Sequence, residues 1–217
     1  MRIRGLKWTE REFSESGIII KTPGEYKGRW NGLFGRNGDI FLEIGCGKGS
    51  FICESAAENP DINYIGVEKI WKILSVASKK ARDAELSNVL LMNIDAGNLN
   101  EIFAPGEISR IYLNFSDPWI KKSKRIKRRL THGNFLEIYK NILRPSGSVY
   151  FKTDNEDFFD FSAAEFEKHG WTLEFSTRDL YKSRTKGIMT EYEKRFVSMG
   201  LPIFMLKAAF SEMFGKK

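Results

Sequence analysis

Acidic residues follow five short apolar segments in the first part of the chain, and they are Glu43, Glu68, Asp95, Asp117 and Asp154. Apolar runs of this length predict buried strands, and in a parallel sheet ligands bind outside the carboxyl ends of the strands. Carboxylates that gather at one edge repel each other unless cations or hydrogen-bond donors lie among them. Asp95 or Asp154 alone is equally well explained as a helix N-cap or a turn former. The five together indicate a ligand-binding site.

A glycine-rich loop follows the first of these acids, with glycines at the alternate positions Gly45, Gly47 and Gly49. Such loops let the backbone approach a ligand closely at the start of a helix. The carboxylate of Glu43 would repel a diphosphate, but it suits a ligand that carries an ammonium and a sulfonium. S-adenosylmethionine is such a ligand. We therefore expect Glu43 to face its methionine part, Glu68 to accept both ribose hydroxyls and Asp95 to accept the adenine amino group.

A basic segment begins four residues after Asp117. Residues 121–129 hold seven cations, the formal net charge of the chain is +7, and the remainder of the chain is therefore neutral. A nuclear-import tract or a solvated turn has the same composition. The position beside Asp117 instead favours contacts with nucleic-acid phosphates, which give affinity rather than sequence choice. The residues expected to make these contacts are Lys122, Lys124, Arg125, Lys127, Arg128 and Arg129.

The hydrophobic pattern predicts the elements that position these residues. It predicts seven strands, at 39–44, 63–68, 89–94, 108–115, 148–153, 171–177 and 203–210. Helices are predicted at 50–58, 70–86, 133–143 and 156–168, and residues 178–200 form a polar stretch before the last strand. Strands that alternate with helices imply βαβ crossovers. The expected fold class is α/β and Rossmann-like, with a mostly parallel seven-stranded sheet and helices on both faces.

Length and composition exclude several other classes of protein. The 217 residues predict a single domain, divided into an extension at 1–38 and a catalytic core at 39–217, and 41% of the residues are hydrophobic. No apolar run reaches the length of a membrane span, so we expect a cytoplasmic protein without membrane contact. The two cysteines and two histidines lack the spacing of a zinc site, so no metal is expected.

These motifs resemble those of the bacterial tRNA (guanine-N7-)-methyltransferases, which have the class I S-adenosylmethionine-dependent fold. The resemblance runs from about Phe41 to Phe196 and rests on segments 43–51, 66–68, 93–96, 117–119, 127–131, 152–154 and 190–193. It implies that tRNA is the partner and that the methyl group goes to N7 of a guanosine in the variable loop. It also implies that Glu43, Glu68, Asp95 and Asp117 bind the cofactor and that Asp117 is catalytic. The substrate would be bound by Lys121, Asp154, Thr190, Glu191, Tyr192 and Glu193.

Methylation of guanine N7 requires alignment and charge rather than a general base, because N7 carries no proton at neutral pH. A carboxylate such as Asp117 would offset the positive charge that develops on the base. Asp154 or Glu193 would accept from the N1–H and N2 amino groups, and Lys121 would meet O6 or a phosphate. Tyr192 could stack on a base lifted out of the RNA, or it could pack under a loop.

Other interpretations stay open on the sequence alone. Trp119 could line the cofactor pocket or stack on a base. An RNA methyltransferase that acts on an exocyclic amine would typically carry Asn/Asp-Pro-Pro-aromatic where this chain has Asp-Pro-Trp at 117–119. A non-catalytic RNA-binding module would explain the basic segment but not Glu68 or Asp95. The sequence does not distinguish a monomer from a homodimer.

Overall fold

The computed structural model of the protein describes residues 17–119, 123–183 and 188–210. Its strands are β1 (Ile40–Ile44), β2 (Asn63–Val67), β3 (Val89–Met92), β4 (Ile108–Asn114), β5 (Leu143–Thr153), β6 (Thr172–Thr177) and β7 (Phe204–Ala209). They form one sheet in the order β3-β2-β1-β4-β5-β7-β6. The first five strands are parallel, and β7 is antiparallel to both β5 and β6. The predicted mostly parallel seven-stranded sheet is confirmed.

Helices connect these strands. They are α1 (Trp30–Leu33), α2 (Ser50–Glu58), α3 (Trp71–Asp83), α4 (Leu99–Ile102), α5 (Gly133–Ile142), α6 (Glu156–Lys168) and α7 (Glu191–Ser198). Short 3-10 turns lie at Pro23–Tyr26, Ala96–Asn98 and Ser123–Arg128. None of the helices in the described part of the chain is both long and apolar enough to cross a membrane. The bounds predicted for α2 and α6 are confirmed, whereas α3 ends before the predicted residue 86, because the backbone turns left-handed at Glu85 with φ 52°.

Strand β5 and helix α7 differ from the predicted elements. Strand β5 begins five residues early, since Leu143 already pairs with Ile108 of β4 before a register shift. Helix α7 lies inside the stretch predicted as polar and irregular. A capping box starts this helix: the Thr190 hydroxyl accepts from the Glu193 N–H, and the Glu193 carboxylate accepts from the Thr190 N–H. The Thr-x-x-Glu pattern is a sequence signature of a helix start, so the start of α7 could have been predicted from the sequence.

Two hydrophobic clusters hold helices on opposite faces of the sheet. Along β1, Leu42 and Ile44 belong to one cluster, together with the apolar sides of α5 and α6. Phe41, the residue before Leu42, belongs to the other cluster, together with α2 and α3. Alternate side chains of a strand point to opposite faces, so a strand buried on both sides needs an unbroken apolar run. This explains why β1 is buried at every position.

Candidate active site

The carboxyl ends of β1 and β4 meet helix α7 around a cavity of about 390 Å³. Its lining combines the glycine loop, the start of α2, the end of β4 and one side of α7: Glu43, Gly45, Cys46, Gly47, Lys48, Ser50, Phe51, Asn114, Phe115, Thr190, Tyr192 and Arg195. A larger cavity of about 760 Å³ lies nearby, among residues such as Tyr112 and Tyr150. None of the five strand-end acids lines that larger cavity, whereas Glu43 lines the smaller one, which is therefore the candidate site.

The glycine loop has the open backbone that the sequence predicts. Gly45, Gly47 and Gly49 all have positive φ, at 78°, 57° and 75°. A Cβ at Gly45 would meet nothing within 4 Å, so the loop leaves open space there. Gly49 has a different role, because a Cβ there would lie 2.6 Å from the Cβ of Ala77. Gly49 therefore allows α2 to pack closely against α3, while the first two glycines leave the cavity free.

Glu43 is a buried carboxyl whose hydrogen bonding is incomplete. The side chain is 4% exposed, and its Oε1 accepts from Asn114 Nδ2 at 2.9 Å. Neither Glu43 Oε2 nor Asn114 Oδ1 has a partner among the described residues. Burial raises the pKa of Glu43 to about 8, against the opposing effects of the Asn114 hydrogen bond and of Lys152. The cavity therefore holds unpartnered acceptors and a carboxyl that a cation would ionise.

Glu68 and Asp95 lie beyond the glycine loop, where β2 and β3 end. Glu68 accepts from Gly47 N at 3.2 Å and from Ile70 N at 2.8 Å, so its carboxylate is fixed against the loop. Asp95 pairs with Lys69 at 2.5 Å and accepts from the N–H of Gly97, which makes it the N-cap of the Ala96–Asn98 turn. The Lys69 hydrogen bond, helped by Gly97, lowers the pKa of Asp95. The N-cap interpretation of Asp95 is thus correct, and its contact with adenine stays a prediction.

The segment after β4 is locally strained around Asp117. Phe115 and Trp119 have φ values of 52° and 49°, a region that non-glycine residues rarely adopt. Asp117 is exposed, and its Oδ1 accepts from Trp119 N at 2.8 Å. Such strain persists where the surrounding structure fixes it, and it concentrates at functional sites. The strain therefore favours a functional role for this segment.

The basic segment folds back on the Asp-Pro-Trp segment. Arg129 Nε donates to the carbonyl of Pro118 at 2.8 Å, and its guanidinium lies 4.3 Å from the Phe161 ring centre. The guanidinium of Arg128 lies 5.3 Å and that of Arg125 5.7 Å from the centre of the Trp119 ring. Trp119 therefore packs against the basic turn. The basic segment therefore contacts the two residues that follow Asp117, and its binding to a polyanion stays a prediction.

Not every residue of the basic segment falls in the described part. Lys127 is exposed, as are Arg125 and Arg128, whereas Arg129 is half-buried and its pKa is lowered by that burial. The predicted contacts of Lys121 and Lys122 lie outside the described residues. The side chain of Lys124, and that of Glu191 in α7, also lie outside what the structure describes.

Tyr192, in the first turn of α7, lies beside the ends of β4 and β5. Its ring stacks on Phe196 at 4.5 Å and contacts Phe115 at 5.0 Å, yet 44% of the residue is exposed. Its hydroxyl donates to Asp154 Oδ2 at 3.4 Å, directly after β5. Two of the residues predicted to bind substrate are therefore adjacent. The remaining exposed part of the Tyr192 ring is available for a further contact.

Glu193 has a different environment from its neighbours, since it is fully buried. Its Oε1 accepts from Lys152 Nζ at 3.0 Å and from the Tyr181 hydroxyl at 2.5 Å. Its Oε2 accepts from Lys152 Nζ at 3.2 Å and from Thr190 N at 3.1 Å. Both oxygens thus receive two hydrogen bonds inside the fold, which anchors α7 to β5. The contact of Glu193 with substrate stays a prediction, and it would require this network to open.

Sequence reasoning missed several residues of the site, chiefly Asn114, Lys152 and Arg195. Asn114 is the last residue of β4, so its place at the carboxyl edge was readable from the strand pattern. Lys152 lies in the Lys-Thr-Asp segment next to Asp154, but its partner is 41 residues away. Arg195 follows Tyr192 by three residues, so it would have been found on the same side of α7 once the capping box was recognised.

The sheet order, the glycine loop and the strand-end acids define a class I methyltransferase fold. Among solved structures, the 16S rRNA methyltransferase KamB is similar with a TM-score of 0.62, 14% identity and 96% of each chain covered. The antibiotic-resistance methyltransferase Kmr is similar with a TM-score of 0.57 and 16% identity, covering 98% of this chain and 96% of that one. At these identities the likeness shows the fold alone.

Closer relatives give the family. The family model described as "Putative methyltransferase" matches residues 37–206. The tRNA (guanine-N(7)-)-methyltransferase of Bacillus subtilis (strain 168) is 46% identical over 206 residues, covering 94% of this chain and 96% of the relative. That of Listeria innocua is 46% identical over 212 residues, covering 97% and 99%. The chain belongs to the tRNA (guanine-N(7)-)-methyltransferase family.

Proposed function

We propose that this protein transfers a methyl group from S-adenosylmethionine to N7 of a guanosine in the variable loop of tRNA. Relatives at 46% identity that span nearly the whole chain support the reaction and the class of substrate. The observation that carries the proposal in the structure is the buried Glu43 carboxyl, which has an unpartnered oxygen beside an open glycine loop.

The residues around the cavity fit the proposed cofactor. When bound, S-adenosylmethionine supplies an electrophilic methyl group on a sulfonium. Glu43 and Asn114 offer acceptor atoms that lack partners within the described chain, and these suit the positive methionine part. Glu68 is held by the loop amide of Gly47, so its carboxylate is fixed in place to accept from ribose hydroxyls. Asp95 lies next along the same edge, where it would accept from the adenine amino group.

The acceptor side of the site supplies charge and alignment. Asp117 follows β4, and its carboxylate would favour the positive charge that develops on the imidazole ring of the base. Asp154 would accept from the N1–H and N2 amino groups of guanine, a donor edge that adenine lacks. Tyr192, which contacts Asp154, would stack on the base. Alignment of this kind can lower the activation free energy by about 7–11 kcal/mol.

The basic turn would hold the tRNA backbone beside this site. Arg125, Lys127 and Arg128 are exposed on one turn that packs against Trp119. Their contacts with phosphates would position the RNA without reading its sequence. Lys122, Lys124 and Arg129 are proposed to extend this surface, and Lys121, Thr190 and Glu191 to contact the substrate.

Product analysis tests the proposed reaction directly. The purified protein is incubated with methyl-labelled S-adenosylmethionine and unmodified tRNA transcripts, and the RNA is digested to nucleosides and separated. We expect 7-methylguanosine, and we expect none from a transcript whose variable-loop guanosine is replaced by adenosine. Label on an exocyclic amine would favour the other class of RNA methyltransferase. Cofactor binding without any RNA product would contradict the proposed activity.

Asp117→Asn tests the proposed charge effect. An asparagine oxygen can still accept from Trp119 N, so the local turn is retained while the negative charge is lost. We expect turnover to fall by more than about tenfold, with S-adenosylmethionine affinity changed far less, because the charge acts mainly in the transition state. A smaller loss of turnover would remove Asp117 from the catalytic role.

A further inference from the structure

Helix α7 brings an arginine to the cavity that also contains Glu43. Arg195 lines this cavity and is exposed, three residues after Tyr192 on the same helix. Arg195 makes no ion pair with any residue that the structure describes. Its neighbour Lys194 instead pairs with Glu54 of α2, at 3.0 and 3.1 Å. Of these two adjacent cations, Arg195 is therefore the one that faces the ligand space.

The lining of this cavity contains charges of both signs. Glu43 Oε1 accepts from Asn114, and Glu43 Oε2 has no partner among the described residues. The guanidinium of Arg195 is therefore not bonded to the carboxyl of Glu43. A second cation, Lys48, lines the cavity from the glycine loop. A ligand that carries both a positive and a negative group would satisfy this arrangement, whereas a purely cationic ligand would leave the arginine unused.

We infer that Arg195 binds the α-carboxylate of the methionine part of S-adenosylmethionine. The inference rests on the proposed function and extends it, since it assigns a second charged contact to the same ligand. The planar guanidinium can bind a carboxylate through two parallel hydrogen bonds, which fixes orientation as well as charge. Arg195 would thus complement Glu43, whose side chain receives the positive groups of the same methionine part.

The surroundings of Arg195 hold it in place for this role. Glu193, two residues earlier, is fully buried and receives hydrogen bonds from Lys152, Tyr181 and Thr190. These contacts fix the first turn of α7 on the sheet. The arginine is therefore presented from an anchored helix rather than from a loop.

Calorimetric binding separates the carboxylate contact from other effects. S-adenosylmethionine and decarboxylated S-adenosylmethionine differ only in the carboxylate, and each is titrated into the wild type, Arg195→Ala and Lys194→Ala. We expect Arg195→Ala to bind S-adenosylmethionine about tenfold more weakly, the loss typical of a charge-assisted hydrogen bond. Its affinity for the decarboxylated compound should stay within about twofold of wild type. Lys194→Ala, which removes the adjacent cation, should leave both affinities unchanged.

Several results would overturn the inference. Equal weakening of both compounds by Arg195→Ala would mean that the substitution displaces α7. Unchanged cofactor affinity together with weaker tRNA binding would assign the guanidinium to an RNA phosphate, the other source of an anion at this site. A wild-type protein that binds neither compound would overturn the proposed function and the inference together. A wild type that binds both compounds equally would overturn the inference alone.

Discussion

Substitution of Glu43 by glutamine tests whether this carboxyl destabilises the cofactor-free protein. Burial raises its pKa from the ordinary 4.5 to about 8. The unfolded chain therefore ionises Glu43 at lower pH than the folded protein, so stability falls as pH rises from 4.5 to about 8. The full difference corresponds to about 5 kcal/mol above pH 8. Relaxation around a buried charge reduces such values, so we expect about 2–4 kcal/mol.

Glutamine preserves the shape of the site and removes only the ionisation. Its side-chain oxygen can still accept from Asn114 Nδ2, as Glu43 does at 2.9 Å. Urea unfolding of the cofactor-free proteins is followed from about pH 5 to 9, with the free energy of unfolding obtained by linear extrapolation. We expect Glu43→Gln to match the wild type near pH 5 and to be more stable at pH 9. Glu58→Gln, at an exposed carboxylate of α2, is the matched control and should show no such trend.

The same variant should lose affinity for S-adenosylmethionine, because glutamine cannot supply a negative charge. In the wild type a cationic ligand favours the ionised carboxylate, so below pH 8 binding must release a proton. Affinity should therefore rise with pH by up to about tenfold per pH unit and level off above pH 8. Calorimetry in buffers of different ionisation enthalpy measures the released proton. A stability difference that is constant across the pH range, or cofactor binding without proton release, would refute this reasoning.

Three further substitutions test other parts of the site. Glu68→Ala should weaken S-adenosylmethionine by about 1–3 kcal/mol in calorimetry and leave tRNA affinity unchanged; equal losses would indicate a structural role. Lys127→Ala combined with Arg128→Ala should weaken all tRNAs similarly and lower the salt slope by up to about two units; parallel slopes would show that RNA docks elsewhere. Lys152→Met leaves Glu193 buried without its cation and should lower the free energy of unfolding by about 3–5 kcal/mol in urea; a loss under about 1 kcal/mol would contradict the buried pair.

The strands of the sheet were predictable because each is marked by a short continuous run of apolar residues. Parallel strands covered on both faces require continuous apolar runs, and β1 and β2 are buried at every position. The acids that follow these runs were predictable for the same reason, since the end of a strand fixes the edge where its next residue lies. Helix α7 was missed because its buried part is polar: Glu193 is fully buried, while the hydrophobic Tyr192 is 44% exposed. A search for an apolar stripe does not find such a helix, although its capping box was visible.

The partners of the site residues could not be derived from the sequence. Asn114 bonds to Glu43 across 71 residues, and that contact exists because β4 lies beside β1 in the sheet. Lys152 meets Glu193 across 41 residues, and their contact depends on where the chain returns after β6. Hydrophobic periodicity predicts strands but not the order in which they pair. The raised pKa of Glu43 depends on the order of the strands, so it could not be derived from the sequence.

The buried ion pair of Lys152 and Glu193 lies close to the cavity that contains Glu43. Lys152 lowers the pKa of Glu43, yet its ammonium is bonded to both oxygens of Glu193. Burial is nevertheless the largest effect and raises the pKa of Glu43 to about 8. A diphosphate entering this cavity would place negative charge beside the Glu43 carboxyl, which makes no ion pair among the described residues. We therefore expect the positive methionine part of S-adenosylmethionine to be favoured beside Glu43, while Lys152, which binds both oxygens of Glu193, anchors α7 next to it.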